Sequence, residues 1–198
     1  MPRSRPWGAR QSICARTQGR ARRARSSASM AVSTCSACRS TKTSDEGIMR
    51  IRATDLSEPE VRALLELHHA EMTAYSPPSK AHVLDLDALR VPGIEVFAAW
   101  DGADLLAIGA LRWADDYAEI KSMRASPAAR GRGAGKAILQ HLVDRAHAAG
   151  KSRVSLETGS GELFAPAEGL YRSFGFKPGQ PFADYVGSDF NRFFHLEL

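Results

Sequence analysis

Hydrophobic and polar positions divide the chain into a leader without periodic pattern and a segment of ordered pattern that begins at Met49. In residues 1–48 large apolar residues are rare, and Arg, Ser and Ala dominate. From Met49 onward, apolar residues recur either at every second position, as in a half-buried strand, or three and four positions apart, as in an amphipathic helix. The pattern therefore predicts one domain of mixed strands and helices over residues 49–198.

The first half of this domain is predicted to hold a strand, a helix and a β-meander. Pro59, with acidic neighbours at 58 and 60, is typical of a helix start, and the prolines at 77 and 78 should end that helix. Asp101-Gly102 predicts a tight hairpin, so the strands around it should be antiparallel. The predicted elements are a strand at 49–53, a helix with Val61, Leu64, Leu65, His68 and Met72 on one face, a short helix at 84–89, and strands at 94–100, 105–113 and 118–123.

The second half alternates helix and strand. An apolar stripe from Ile138 to Ala146 predicts a helix that ends at Gly150, and a buried strand should follow at 153–156. A further helix at 165–174 and a closing strand at 192–198 complete the pattern. Because a helix separates the strand at 118–123 from that at 153–156, these two strands should be parallel, which makes the sheet mixed.

A glycine turn, RGRGAG at residues 130–135, lies between a predicted strand and a predicted helix. Alternating glycines allow backbone N–H groups to converge, and the N-terminus of the following helix adds partial positive charge, which favours a phosphate or pyrophosphate. A P-loop would need Gly at 130 and Ser or Thr at 137, and a dinucleotide fingerprint would need Gly at 136. Neither pattern fits, and an ordinary glycine-rich loop stays open as the alternative.

The spacing Arg-x-x-Gly-x-Gly, carried by Arg130, Gly133 and Gly135, resembles the acyl-CoA loop of the GNAT N-acetyltransferases. Two more features agree in order: Glu119 in the strand before the loop, and Tyr171 in the string YRSFGF. The segment at 76–89 is similar to the YsnE-type branch of bacterial GNAT proteins. The resemblance covers residues 49–198 and implies an α/β (α+β) fold, whose mixed central sheet is splayed at the cofactor site and flanked by helices on both faces.

The resemblance implies an N-acetyltransferase that moves an acetyl group from acetyl-CoA to a primary amine of a small molecule, by direct attack in a ternary complex. It implies acetyl-CoA as acyl donor and no metal. His68 and His69 are adjacent and face different ways, so a structural or substrate-pocket role is favoured for them over metal binding. A homodimer stays open, and neither a membrane nor nucleic acid is expected as a partner. The alternative is a non-catalytic acyl-CoA sensor, which a closed acceptor cavity and a Glu119 held in an ion pair would favour.

The resemblance also implies roles for individual residues. Tyr171 would give a proton to the leaving thiolate, and Glu119 would be the general base with Glu157 as second choice. An ion pair of Glu119 with Lys121 or Arg112 is the structural alternative. The expected cofactor contacts are Met123, Arg124, Ala125, Arg130, Gly131, Arg132, Gly133, Ala134, Gly135 and Lys136; the expected acceptor contacts are Tyr75, Ser76, His82 and Glu157, unless the double proline only makes a rigid loop.

The excess of positive charge and all of the cysteines lie in the leader and not in the domain. The net charge is +5, but residues 1–48 hold ten of the 27 basic and two of the 22 acidic residues, so the domain itself is slightly acidic. All three cysteines lie in the leader, which excludes a cysteine nucleophile in the domain, and the CxxC at 35–38 lacks a second ligand pair. No apolar run approaches the ~18 residues of a membrane span, so we expect a cytoplasmic protein.

The leader is expected to be disordered, because its composition cannot bury enough apolar surface to offset its ordering entropy. A transit peptide, an arginine-rich nucleic-acid arm, and translated upstream sequence ahead of a native start at Met49 all fit this composition. The last interpretation is favoured, since Pro and Gly interrupt an amphipathic helix and aromatic residues are limited to Trp7.

Overall fold

The computed structural model describes residues 49–77 and 82–198. The predictions for the leader, and for the part of the proline turn at 78–81, lie outside the described residues. The strands are β1 (Arg50–Thr54), β2 (Ile94–Asp101), β3 (Asp104–Trp113), β4 (Tyr117–Ala125), β5 (Arg153–Thr158), β6 (Lys177–Pro178) and β7 (Arg192–Glu197); the helices are α1 (Pro59–Tyr75), α2 (Ala134–Ala148) and α3 (Ala165–Ser173), with short 3₁₀ turns at Ala88–Arg90 and Pro127–Ala129.

The seven strands form one mixed sheet in the order β1-β2-β3-β4-β5-β7-β6. β2 to β4 pair antiparallel, as the meander pattern predicts, and β1 also pairs antiparallel with β2. The hairpin between β2 and β3 turns at Gly102, whose φ of 57° is the left-handed conformation that glycine adopts without strain. β4 and β5 are parallel neighbours, which confirms the inference drawn from the helix crossover.

Helices cover both faces of this sheet. Successive residues of β2 enter different cores: Val96 and Ala98 pack with α1, whereas Phe97 and Ala99 pack with α2 and α3. Because neighbouring side chains of a strand point to opposite faces, α1 lies on one face and the other two helices lie on the other. The predicted α/β class with a mixed sheet is therefore confirmed.

Two predictions about elements were wrong or incomplete. The helix expected at 84–89 is replaced by a single 3₁₀ turn at Ala88–Arg90. Asp85 Oδ1 accepts the backbone N–H of Ala88 at 2.8 Å, and this local bond competes with helical hydrogen bonding. The two-residue strand β6, and the insertion of β7 between β5 and β6, were not predicted, since nothing local in the sequence specifies which strand is the neighbour.

The sheet opens between its two central parallel strands. Their pairing ends at Ile120 and Leu156, although β4 continues to Ala125 and β5 to Thr158. Just past this point the β3–β4 register shifts, and Ser122 adopts a φ of 48°, which is rare for a residue with a side chain. The two strand ends thus diverge, as the resemblance implies.

Among the described helices, none is long and apolar enough to cross a membrane.

Candidate functional site

A cavity of about 150 Å³ lies where β4 and β5 diverge. Its wall combines residues from both strands with residues from helices on both faces of the sheet, so we call it the splay cavity. The wall residues are His68, Met72 and Ser76 from α1 and its end, His82 and Val83, Ile120 to Arg124 from β4, Glu157 to Gly159 from β5 and its end, Leu163, Phe164, Ala167 and Tyr171 at α3, and Phe190.

Tyr171 reaches the splay cavity from α3 and is only 6% exposed. Its ring packs at 5.9 Å from the ring of Phe176, which fixes its orientation within the core. Burial, and to a smaller extent the charge of Glu157, raises the pKa of the Tyr171 phenol above its usual value. The phenol therefore stays protonated at neutral pH and can act as a hydrogen-bond donor.

Glu119 is enclosed by three donors and is only 1% exposed. It accepts the Tyr185 hydroxyl at 2.5 Å, and pairs with Lys121 Nζ at 3.2 Å and with Arg112 Nη1 at 3.5 Å. It is absent from the cavity wall, where Lys121 stands instead. The ion-pair alternative raised by the sequence is therefore the arrangement found, and a cavity is present between the diverging strands.

Glu157 is the carboxylate that lines the splay cavity. Asn191 Nδ2 donates to its Oε1 at 2.5 Å. Burial raises the pKa of Glu157, a change that the Asn191 bond and the charges of His82 and Lys121 only partly offset. A carboxylate with a raised pKa on a cavity wall is suited to accept a proton, so the structure gives the second-choice base the more accessible position.

The glycine loop, residues 130–136, begins α2 in the way an anion site requires. Gly131 and Gly133 have φ angles of 76° and 77°, in the left-handed region. The first bond of the helix runs from the N–H of Ala137 to the carbonyl of Gly133 at 2.9 Å, so the amides of Ala134, Gly135 and Lys136 precede the helical ladder. This geometry fits a pyrophosphate at the helix N-terminus.

The charged side chains of the glycine loop differ in their surroundings. Arg130, Arg132 and Lys136 are all exposed, and Arg132 pairs with Asp101 at 2.5 Å. None of the loop residues is on the wall of the splay cavity; the loop follows β4, whose residues 121–125 extend beyond its pairing with β5.

Only some of the residues expected to contact the acceptor or the cofactor lie at the splay cavity. Ser76 and His82 are on the cavity wall, but Tyr75 is 62% exposed and is not among the wall residues. Met123 and Arg124 line the cavity, while Ala125 does not; the Arg124 guanidinium pairs with Glu71 at 2.5 Å.

Sequence reasoning missed several polar residues of this region. Tyr185 lies in the irregular segment before β7, 66 positions from the carboxylate it contacts, and no periodic signal marks it. Asn191, the residue before β7, and Ser122, within β4, were also not named as site residues. His68, for which the sequence favoured a structural or substrate-pocket role, is buried and lines the cavity.

Within the described residues, no group of three or more His, Cys, Asp or Glu side chains is arranged to hold a metal ion.

Known proteins were compared with the chain. The profile of the Acetyltransferase (GNAT) family matches residues 61–176. The chain is 45% identical over 147 residues to the uncharacterized N-acetyltransferase YsnE of Bacillus subtilis (strain 168), covering 74% of this chain and 97% of the relative. It is 40% identical over 149 residues to the uncharacterized N-acetyltransferase YedL of Escherichia coli (strain K12), covering 75% and 94%.

A solved structure, a GNAT family acetyltransferase from Elizabethkingia anophelis with acetyl-CoA bound, superposes with a TM-score of 0.56 at 17% identity, covering 76% of this chain and 98% of that one. At 17% identity, this similarity shows a shared fold and nothing more.

Proposed function

The chain belongs to the Acetyltransferase (GNAT) family and is an acyltransferase; from this premise we propose that it moves an acetyl group from acetyl-CoA to a primary amine of a small molecule, by direct attack in a ternary complex. The observation that carries the proposal is the splay cavity, because a protonated phenol, Tyr171, and a half-buried carboxylate, Glu157, both line this one space between the diverging strands.

The donor would lie along the open edge of β4. The free amides of Ala134, Gly135 and Lys136, with the exposed Arg130 and Lys136 side chains, suit the pyrophosphate. Backbone groups of Met123 and Ala125, beyond the last β4–β5 pair, suit the amides of the pantetheine arm. The Elizabethkingia anophelis neighbour holds acetyl-CoA in the same fold, which supports acetyl-CoA as the donor here.

The acceptor amine must lose a proton before it can attack, because an alkylammonium has no lone pair. We assign this proton to Glu157, directly or through one water, since its carboxylate faces the cavity and its pKa is raised by burial. Glu119, which the sequence favoured for this task, is instead given a positioning role: it holds Lys121 and Tyr185 beside the cavity wall.

The transfer itself conserves atoms and charge. The amine nitrogen forms a bond to the thioester carbonyl carbon, and the carbon–sulfur bond then breaks as the tetrahedral intermediate collapses. The nitrogen gives up its second proton, Tyr171 protonates the leaving thiolate, and the phenol is reprotonated from the nitrogen or from solvent. The products are the N-acetylated amine, CoA with a free thiol, and one proton.

Two measurements on one sample test this function. Calorimetry should detect binding of acetyl-CoA, and a free-thiol assay against a panel of primary amines should then detect CoA release that depends on the amine. Binding without release from any amine would contradict the transferase and favour the sensor, for which the ion-paired Glu119 is the supporting observation. Absence of binding would contradict the donor assignment itself.

A further inference from the structure

Two polar atoms on the wall of the splay cavity are buried without a hydrogen-bond partner among the described residues. They are Nδ1 of His68, on α1, and Oγ of Ser122, at the irregular point of β4. His68 as a whole is only 9% exposed. We call these two side chains the polar pair.

Unpartnered buried polar atoms are uncommon because each loses its bonds to water without replacement. Three others occur in the described segments, Trp100 Nε1, His141 Nε2 and Arg153 Nε, and none of them lines the cavity. The polar pair differs from these three because both of its side chains line a cavity. A ligand group that hydrogen-bonds to both atoms would remove the free-energy cost of leaving them unpaired. The pair can therefore serve as a recognition element.

The charges around the cavity restrict what this ligand group can be. Lys121 is paired with Glu119, and Arg124 is paired with Glu71. Arg124 thus has a carboxylate of its own, whereas Lys121 shares Glu119 with Arg112, and Glu157 has a neutral amide as its partner. The wall can hold one positive charge near Glu157, and each Lys or Arg on it already pairs with a carboxylate of the protein.

His68 itself adds no charge. Burial, with the neighbouring positive charges of Arg124 and His69, lowers the pKa of His68 to about 4. The imidazole is therefore neutral at physiological pH and offers one N–H donor and one lone pair. Such a ring, together with a hydroxyl, matches a neutral group such as a primary amide or an alcohol.

The position of His68 indicates which substrate carries that group. His68 belongs to α1, which packs on one face of the sheet, whereas the glycine loop begins α2 on the opposite face. The proposed donor is anchored at the glycine loop, so the group that reaches His68 comes from the acceptor.

We propose, building on the acetyl-transfer function above, that His68 and Ser122 bind a neutral amide or hydroxyl group of the acceptor, so that the preferred acceptor is a singly charged amino-amide or amino-alcohol and not a free amino acid. The amine lies at Glu157 and the neutral group lies at the polar pair. Selectivity follows because a plain alkylamine leaves both atoms unpaired, and a carboxylate would have to compete with the carboxylates that already pair with Lys121 and Arg124.

Three amines of equal length test the idea: β-alaninamide, n-butylamine and β-alanine. The kcat/KM for β-alaninamide should exceed that for each of the others by about tenfold. Because the amines differ in their own pKa, the deciding quantity is how this ratio changes between wild type and variants. His68→Leu and Ser122→Ala should bring the ratio down by about tenfold, while the acetyl-CoA dissociation constant stays as in wild type.

Matched variants separate recognition from folding. His68→Gln keeps a donor and an acceptor and should recover part of the preference for the amide. Ser122→Gly removes the hydroxyl and also relieves the φ of 48°, so it should lose selectivity without losing stability. His141→Leu removes a buried ring nitrogen away from the cavity and should keep the wild-type ratio.

Binding provides a readout that does not depend on turnover. Calorimetric titration of β-alaninamide into the protein saturated with CoA should show weaker binding for His68→Leu than for wild type. A wild type that binds the amide without releasing thiol would contradict the transferase function and leave the polar pair supported. An unchanged selectivity ratio and unchanged amide binding in His68→Leu, or a loss confined to acetyl-CoA affinity, would overturn the proposal.

Discussion

At the scale of single residues, the chemistry depends on two groups whose surroundings change their acidity. Tyr171 and Glu157 are both removed from water, and burial raises the pKa of each. For the phenol this keeps the proton that a leaving thiolate needs, and for the carboxylate it increases affinity for a proton from the amine. Burial thus suits Tyr171 to act as an acid and Glu157 to act as a base in the same cavity.

The variant Tyr171→Phe tests the acid. We expect kcat to fall about a hundredfold, because general acid catalysis contributes on this order, with the acetyl-CoA dissociation constant nearly unchanged. Steady-state kinetics and calorimetry measure the two quantities. Tyr117→Phe is the control, since that ring packs on Phe182 at 5.7 Å, away from the cavity wall, and should keep its activity. Equal activity in Tyr171→Phe would remove the phenol from the mechanism.

The variant Glu157→Gln tests the base. The carboxylate must be ionised to accept a proton, so wild-type activity should be present at high pH and fall as the pH decreases through the Glu157 pKa. That pKa is raised above the ordinary value of 4.5, so the fall should lie at higher pH than for an exposed carboxylate. Glu157→Gln should lose most of the wild-type kcat, and its pH profile should no longer show the fall in activity at low pH. A pH profile identical to wild type would contradict the assignment.

At the scale of elements, strand–loop–helix geometry supplies the anion site. The glycine loop can form this site because Gly131 and Gly133 adopt left-handed φ angles, which turn the chain from β4 into α2. A hypothetical Cβ on either glycine would meet no atom within 4 Å, so conformation and not crowding selects glycine there.

The variant Gly133→Ala should therefore destabilise the fold by about 1 kcal/mol, the cost of a left-handed φ for a residue with a Cβ. Urea denaturation measures the change. Gly135→Ala is the matched control: Gly135 lies inside α2 with an ordinary φ, and a Cβ there would contact Leu170 at a comfortable 3.6 Å, so it should be neutral or slightly stabilising. Equal losses in both variants would contradict this account.

At the scale of the whole molecule, the buried His68 links folding to pH. Its pKa is about 4 in the folded protein against 6.5 for the ordinary group, so the unfolded chain binds more protons between these values. The free energy of unfolding should consequently rise with pH through this window, by up to about 3 kcal/mol, and become level above it.

Urea denaturation of His68→Leu across pH 4 to 7 checks this dependence. The variant should lose most of the rise that wild type shows, because it removes the buried ring whose pKa is lowered. Leu64→Ala, a non-titrating change of a buried residue in the same helix, should lower the whole curve and keep its slope. A slope in His68→Leu equal to that of wild type would show that the ring does not govern it.

The elements and the family could be predicted from sequence because their signals are local. Two-residue and 3.6-residue periodicities located the strands of the meander and the three helices, the hairpin was recognised at Asp101-Gly102, and the glycine loop was recognised by its spacing. These features depend on neighbours a few positions apart, so the sequence by itself determined them. The false helix at 84–89 marks the limit, since its apolar spacing reflects packing against α1 and not helical hydrogen bonding.

Only the tertiary structure decided which polar groups share a space. Glu119 meets Tyr185 across 66 positions, Glu157 meets Asn191 across 34, and His68 reaches the same cavity as Ser122 from another element. Which carboxylate faces the cavity and which is enclosed depends on where β4 and β5 part and on what covers each strand. Long-range contacts of this kind leave no periodic trace, because desolvation and pairing are properties of the assembled fold and not of any segment.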